Sequence, residues 1–129
     1  MKLNPRELEV LKILYDSDRA LTSTEIVNAG DGLTQSTVQA VLRKLLNNDL
    51  VEVCGVTHSG NVLSRTFSAT DNSKKVITQK FLDDYRCFRS VISKRTAVAG
   101  MFELDDDEAQ RAKDVKELEK LLEEIKKKK

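Results

Sequence analysis

The chain has no tryptophan, one proline, one histidine and two cysteines in 129 residues, and aromatic side chains make up only 5% of it. Its core must therefore rest on Leu, Val and Ile. Cys54 and Cys87 stand far apart, with no Cys-x-x-Cys spacing and no histidine nearby, so they make a poor zinc-ligand set, and a redox switch is an alternative without support in the sequence. Small, buried or half-buried thiols are expected of them. No metal site or cofactor is expected. No run approaches the roughly 18 apolar residues of a membrane helix, and the opening MKLNPREL lacks the apolar centre of a signal peptide, so a cytoplasmic location is expected. A nucleophile motif, a phosphate-binding glycine loop and a plausible pair of catalytic carboxylates are all missing, which leaves enzyme as the least supported class. Excess charge is missing too. The formal net charge is +1, and the first 69 residues hold seven Lys or Arg against eight Asp or Glu. If the partner is a polyanion, positive charge must be concentrated locally.

What is present is most informative between Leu33 and Val53, LTQSTVQAVLRKLLNNDLVEV. Thr34 can cap a helix, and Val38, Val41, Leu42, Leu45 and Leu46 recur at three- and four-residue spacing, so one stripe must be buried. The other side carries Ser36, Thr37, Ala40, Arg43 and Lys44, with Gln39 nearer its edge. Short hydroxyls, an amide and a guanidinium suit the edges of bases in a major groove, and the methyls of Thr37 and Ala40 suit thymine. Gln35 joins them in the first turn, where free backbone N–H groups favour anions. After Asn47, Asn48 and Asp49, LVEV changes the period from helix to strand.

Upstream, Asn4, Pro5 and Glu7 make a helix start with a capping side chain, and Leu8, Val10, Leu11, Leu14 and Tyr15 give the helix an apolar face ending near Asp16 to Asp18. Ala20 and Leu21 suit a short strand. Thr22 and Glu25 form a second capping box before a brief helix, which Gly30 and Gly32 end. Downstream, VEVCGVT and VLSRTFS read as two strands joined by a turn over His58, Ser59, Gly60 and Asn61, with Gly60 at a position needing positive φ. Leu63, Arg65 and Phe67 share one side, so Phe67 is expected on the helices and Arg65 toward the outer edge.

The order is helix, short strand, helix, turn, helix, strand, turn, strand, which is the winged helix-turn-helix order. The expected fold is mainly α with a small β wing: a winged helix-turn-helix DNA-binding domain over residues 1–70, followed by C-terminal dimerisation helices over residues 71–129. Candidate DNA-contacting residues are Thr34, Gln35, Ser36, Thr37, Gln39, Ala40, Arg43 and Lys44 from the third helix. His58, Ser59, Asn61 and Arg65 join them from the wing, where backbone phosphates are the natural contact.

RELEVLKILY in the first helix, TEI in the second and QSTVQAVLRKL in the third resemble the BlaI/MecI penicillinase-repressor family over most of the first seventy residues. Members are winged-helix dimers that repress resistance genes from palindromic operators. The resemblance implies a repressor relieved by cleavage in its C-terminal region after a membrane sensor detects an inducer. The counterpart of the cleaved Asn-Phe bond is Met101-Phe102, within AGMFEL, so a regulatory protease or sensor is an implied partner.

Beyond Thr70, apolar groups at Ile77, Phe81, Tyr85, Phe88 and Ile92 make a stripe on one long helix from Asp71 to Ile92. Gly100 is expected to loosen or end this region. Asp105 and Glu108 read as a third capping box, leading a helix with Val115, Leu118, Leu122 and Ile125 on one side. A small winged domain has little surface to spare for these stripes, so a second copy is expected to cover them. Two half-sites one DNA turn apart, about 34 Å, also call for a two-fold dimer. The alternative is that the last helix folds back on its own chain. Lys126 to Lys129 read as a solvated end that favours the negative helix terminus.

The leading expectation is a sequence-specific DNA-binding transcriptional repressor acting as a homodimer on a palindromic operator. The alternative is a winged-helix protein-interaction module without sequence-specific DNA binding. A sensor with its ligand between the DNA-binding and dimer regions is a third reading.

Overall fold

A computed structural model describes residues 2–128, apart from the side chain of Ser59; Lys129 of the terminal lysine run lies outside the described residues. The elements are α1 (Pro5–Asp16), α2 (Ser23–Ala29), α3 (Gln35–Asn47), β1 (Val51–Ser59), β2 (Val62–Ala69), α4 (Asp71–Phe88), α5 (Lys94–Glu103) and α6 (Glu108–Lys127). Six helices and one antiparallel hairpin make the fold mainly α with a small wing, as expected. The chain divides into two compact units, residues 1–84 and 85–129.

Local signals set the first unit. Asn4 accepts from the Glu7 amide at 2.8 Å while Glu7 accepts from the Asn4 amide at 2.8 Å, and Thr22 and Glu25 repeat the arrangement at 3.2 and 3.0 Å. Each box satisfies two N–H groups that a helix start would otherwise orphan. Val10 and Leu11 from α1, Ile26 from α2, Val38 and Leu45 from α3, and Leu50 and Val51 beyond it are buried in one aliphatic core. Phe67 is the one aromatic residue fully within it. Tyr15, at the exposed edge of α1, donates its hydroxyl to the Thr70 carbonyl at 3.1 Å.

The short strand expected at Ala20 and Leu21 is a single bridge: Leu21 and Phe67 exchange two backbone hydrogen bonds, at 3.0 and 2.7 Å. The wing strands are longer than expected. β1 runs to Ser59 and pairs His58 with Leu63, so His58 is a strand residue and the turn is Gly60-Asn61, with Gly60 at φ +66°. A bulge interrupts the register between Val53 and Gly55. It leaves Cys54 exposed, its Sγ 2.9 Å from Ser68 Oγ. Cys87 is exposed as well, so neither thiol has the buried setting expected of it.

The first turns of α4 belong to the first unit, where Val76 and Ile77 pack on the aliphatic core. Ile77, expected in a seam between copies, thus has a partner within its own chain. Helix α4 stops at Phe88, earlier than expected, and Ile92 follows it outside the helix.

In the second unit the Tyr85 hydroxyl donates to the Ile92 carbonyl at 3.0 Å. Gly100 does not end a helix; it lies inside α5, which Ser93 caps by accepting from the Thr96 amide at 3.1 Å. The cap of α6 is Asp107 rather than Asp105, accepting from the amides of Ala109 and Gln110 at 3.0 and 3.3 Å. Three successive aspartates are chemically equal caps, and the turn after α5 decides among them. No side chain of α5 or α6 is buried. Among the described residues no helix is long and apolar enough to cross a membrane, and no group of His, Cys, Asp and Glu is placed to hold a metal ion.

Candidate nucleic-acid interface

Helix α3 buries Val38, Val41, Leu42 and Leu45, so its opposite side has no apolar obligation. Ser36, Gln39, Ala40 and Arg43 are exposed there, and Thr37 is half-buried. Thr34 Oγ1 accepts from the Thr37 amide at 3.2 Å and donates to Thr37 Oγ1 at 2.9 Å, so these two residues brace each other at the helix start. Gln35 reaches sideways: its Nε2 donates to Ser23 Oγ at 2.7 Å, tying the start of α3 to the start of α2. That bond occupies one amide proton of Gln35 and makes the residue a brace of the helix-turn-helix as well as a surface group.

Lys44 departs from the expectation. It shares the exposed side of α3 by helical spacing, yet its Nζ lies 2.9 Å from Glu7 Oε2. Glu7 is only 1% exposed, and its other oxygen is held by the Asn4 amide. The α1 carboxylate therefore claims the Lys44 ammonium, while the Lys44 side chain as a whole stays 55% exposed.

Arg43 and Arg65 behave differently. Neither has an acid partner among the described residues. Arg65 stands with its guanidinium carbon 5.4 Å from the centre of the Phe67 ring, within cation–π range. Both arginines line one groove of about 390 Å³ between α3 and the wing. Leu42, Leu46 and Phe67 give this groove its apolar lining, and Gln39, Asn47, Ser23 and Ser64 its neutral polar groups; no carboxylate lines it. Ser23 and Ser64 are missed by sequence reasoning because only the fold brings the starts of α2 and β2 beside α3, and Asn47, the last residue of α3, because it reads as a helix end. Of the other wing candidates, His58 and Asn61 are exposed, and the Ser59 side chain lies outside the described residues.

Basic residues elsewhere in the first unit are mostly paired: Arg6 with Glu9, Lys12 with Asp16, Arg19 with Glu25 and Lys80 with Asp84. The Arg19 hydrogen bond, helped by the Thr22 amide, holds the Glu25 carboxyl down at about 2. The candidate residues of the second unit present a different picture. Phe88, Val115, Leu122 and Ile125 are exposed, while Tyr85, Ile92 and Leu118 are half-buried; Phe81, still in the first unit, is exposed. The Met101-Phe102 bond lies within α5, so a protease needs to unwind the helix to reach it.

In overall architecture the chain is similar to several solved structures. A mutant of MepR, from a multidrug-resistant clinical isolate of S. aureus, matches with a TM-score of 0.54 at 20% identity, covering 96% of this chain and 80% of that one. A PadR family transcription regulator from hypervirulent Clostridium difficile matches with a TM-score of 0.51 at 15% identity, covering 68% and 94%. BpsR from Bordetella bronchiseptica matches with a TM-score of 0.50 at 20% identity, covering 80% and 77%. At these identities the likeness establishes the fold, which is the winged helix. No protein-family model and no curated protein matches the chain. The particular resemblance to BlaI/MecI repressors thus rests on the sequence alone.

Proposed function

We propose that the chain is a cytoplasmic, sequence-specific DNA-binding transcription repressor. It works as a homodimer on a palindromic operator, with residues 1–70 as the DNA-binding domain and residues 71–129 as the helical dimerisation region. The observation that carries this reading is the groove between α3 and the wing, where Arg43 and Arg65 stand without acid partners among neutral polar and apolar groups. In this reading Ser36, Thr37, Gln39 and Arg43 meet base edges and Arg65 meets a phosphate of the flanking backbone. The DNA binding of BpsR is regulated by 6-hydroxynicotinic acid. Relief of repression by a small molecule is therefore a closer model for this chain than cleavage at Met101-Phe102, a bond enclosed in a helix.

A protein-interaction module is the second reading, and the tip of the wing favours it: Val62 and Leu63, flanking the turn, are 65% and 64% exposed. Selection of random duplex DNA by the purified protein separates the two. Enrichment of an inverted repeat with half-sites about one helical turn apart supports the dimeric repressor. Absence of any enrichment at low salt rejects it in favour of a protein partner.

A further inference from the structure

The second unit holds an open groove of about 420 Å³ between α5 and α6. Val98, Met101 and Phe102 line it from α5 and Leu118 and Leu121 from α6, while Asp105, Asp114 and Glu117 add carboxylates. Neither helix has a buried side chain: Val98, Met101 and Leu121 are exposed, and Phe102 and Leu118 are half-buried. The corner between the helices is rich in carboxylates, with Arg111 also reaching it to donate to the Asp105 carbonyl at 2.6 Å. Glu103, Asp105, Asp106, Asp107 and Glu108 have no ion-pair partner among the described residues. The far end of α6 is the chemical complement: Leu121, Leu122 and Ile125 are exposed, and Lys126, Lys127 and Lys128 follow them. Of these lysines only Lys126 has an ion pair among the described residues, an exposed one with Glu123 at 3.5 Å.

From this complementarity we infer that the occupant of the groove is the C-terminal half of α6 from a second copy, the two α6 helices running antiparallel. The inference rests on the homodimer of the proposed function and specifies its interface. Helix α6 has 20 residues, about 30 Å of rise, with acid at its start and lysine at its end. Parallel pairing sets acidic corner against acidic corner and lysines against lysines. Antiparallel pairing sets each lysine end against an acidic corner, twice over. A two-fold axis near Leu118 puts Val115 against the partner's Leu121 and Leu122, and Lys128 beside the partner's Glu108. Like charges at both ends then disfavour the parallel alternative while the apolar stripe serves either orientation.

The test is disulfide trapping in the full chain with Cys54 and Cys87 replaced by Ser, both being exposed positions. Glu108→Cys and Lys128→Cys variants are oxidised separately and as a mixture, and the uncrosslinked protein is sized by sedimentation equilibrium. The expected result is a covalent dimer in the mixture and little from either variant alone. Self-linking of Lys128→Cys establishes parallel helices and overturns the inference while leaving the homodimer intact. A sedimenting dimer without any of these crosslinks places its interface elsewhere and also overturns the inference. A monomer refutes the homodimer itself. Charge reversal is an independent check: changing Lys126, Lys127 and Lys128 to Glu weakens the dimer, and changing Asp105 and Asp106 to Lys in the same chain restores it. Failure of the second change to restore association counts against the antiparallel arrangement.

Discussion

Replacing Lys44 with Ala separates stability from DNA contact in a way that helical spacing alone does not anticipate. The Lys44 ammonium lies 2.9 Å from Glu7 Oε2, and Glu7 is 1% exposed. Without it, a buried carboxylate keeps one hydrogen bond, from the Asn4 amide at 2.8 Å. Losing a hydrogen bond to a charged group costs roughly 1.5–3 kcal/mol. The roughly 3–5 kcal/mol for breaking a fully buried pair is an upper bound, because half of the Lys44 side chain faces solvent and water screens the pair. At about 4–8 °C per kcal/mol for a unit of this size, the midpoint of thermal unfolding falls by roughly 10 °C.

The DNA side of the prediction is the opposite. A cation seated on a phosphate in each of two half-sites adds about 1.8 to the magnitude of the slope of log K against log salt. A Lys44 held by Glu7 adds none of this, so Lys44→Ala leaves the slope at the wild-type value while lowering the urea midpoint. Arg65→Ala lowers the slope by about 1.8 with little change in stability. Glu7→Gln keeps an oxygen for the Asn4 amide but releases Lys44, and the slope steepens. Fluorescence anisotropy on the selected operator over a series of salt concentrations, paired with urea unfolding, reads both quantities. A Lys44→Ala slope reduced as far as that of Arg65→Ala refutes the reasoning.

Three further outcomes are expected. Leu45, fully buried in the core, gives a Leu45→Ala variant about 2–5 kcal/mol less stable, measured by chemical denaturation. Gly60→Ala places a Cβ at φ +66° and costs about 1–2 kcal/mol in the hairpin, so wing amides should exchange faster while those of α1 keep their protection. Glu25 has a folded pKa near 2 against 4.5 for the unconstrained group, owing first to the Arg19 hydrogen bond and then to the Thr22 amide. Its stabilisation is therefore complete above about 4.5 and lost as pH falls from there toward 2. Glu25→Gln should flatten the stability curve in that window by a small amount, since both partners face solvent.

The legible parts of this fold are those set by short-range chemistry. Both capping boxes of the first unit form on the residues that sequence spacing names, and the buried stripe of α3 follows its period. The unforeseen parts arise where a distant residue intervenes or an extra one enters the pattern. Lys44 lies on the open side of a helical projection, but its four-carbon stem lets the ammonium reach a carboxylate of α1. Glu7 looks complete as a cap acid, and nothing local reveals that its second oxygen is buried and in need of a cation. Alternation along β1 fails at Cys54 because the bulge inserts one residue, of which Gly55 is the only sequence trace. In α5, Gly100 costs only about 1 kcal/mol relative to Ala, and the Ser93 cap offsets a comparable amount, so the helix runs through it.

Near-neutral charge, which by composition argues against a nucleic-acid partner, takes another meaning from the pairing. Of the seven basic residues among the first 69, Arg6, Lys12, Arg19 and Lys44 are bound to carboxylates, while Arg43 and Arg65 line the same groove. A regulator built this way draws little affinity from phosphates in general, because few counterions are released. In the proposed function, discrimination then comes from the neutral groups of α3, with Ser36, Thr37 and Gln39 as the proposed base readers beside one guanidinium. Such a protein binds non-specific DNA weakly and loses little specific affinity as salt rises. A basic winged helix with the same contacts gains affinity everywhere and so spends longer on the wrong sites. Neutralisation by Glu7 is thus as much a part of the proposed specificity as the side chains left exposed.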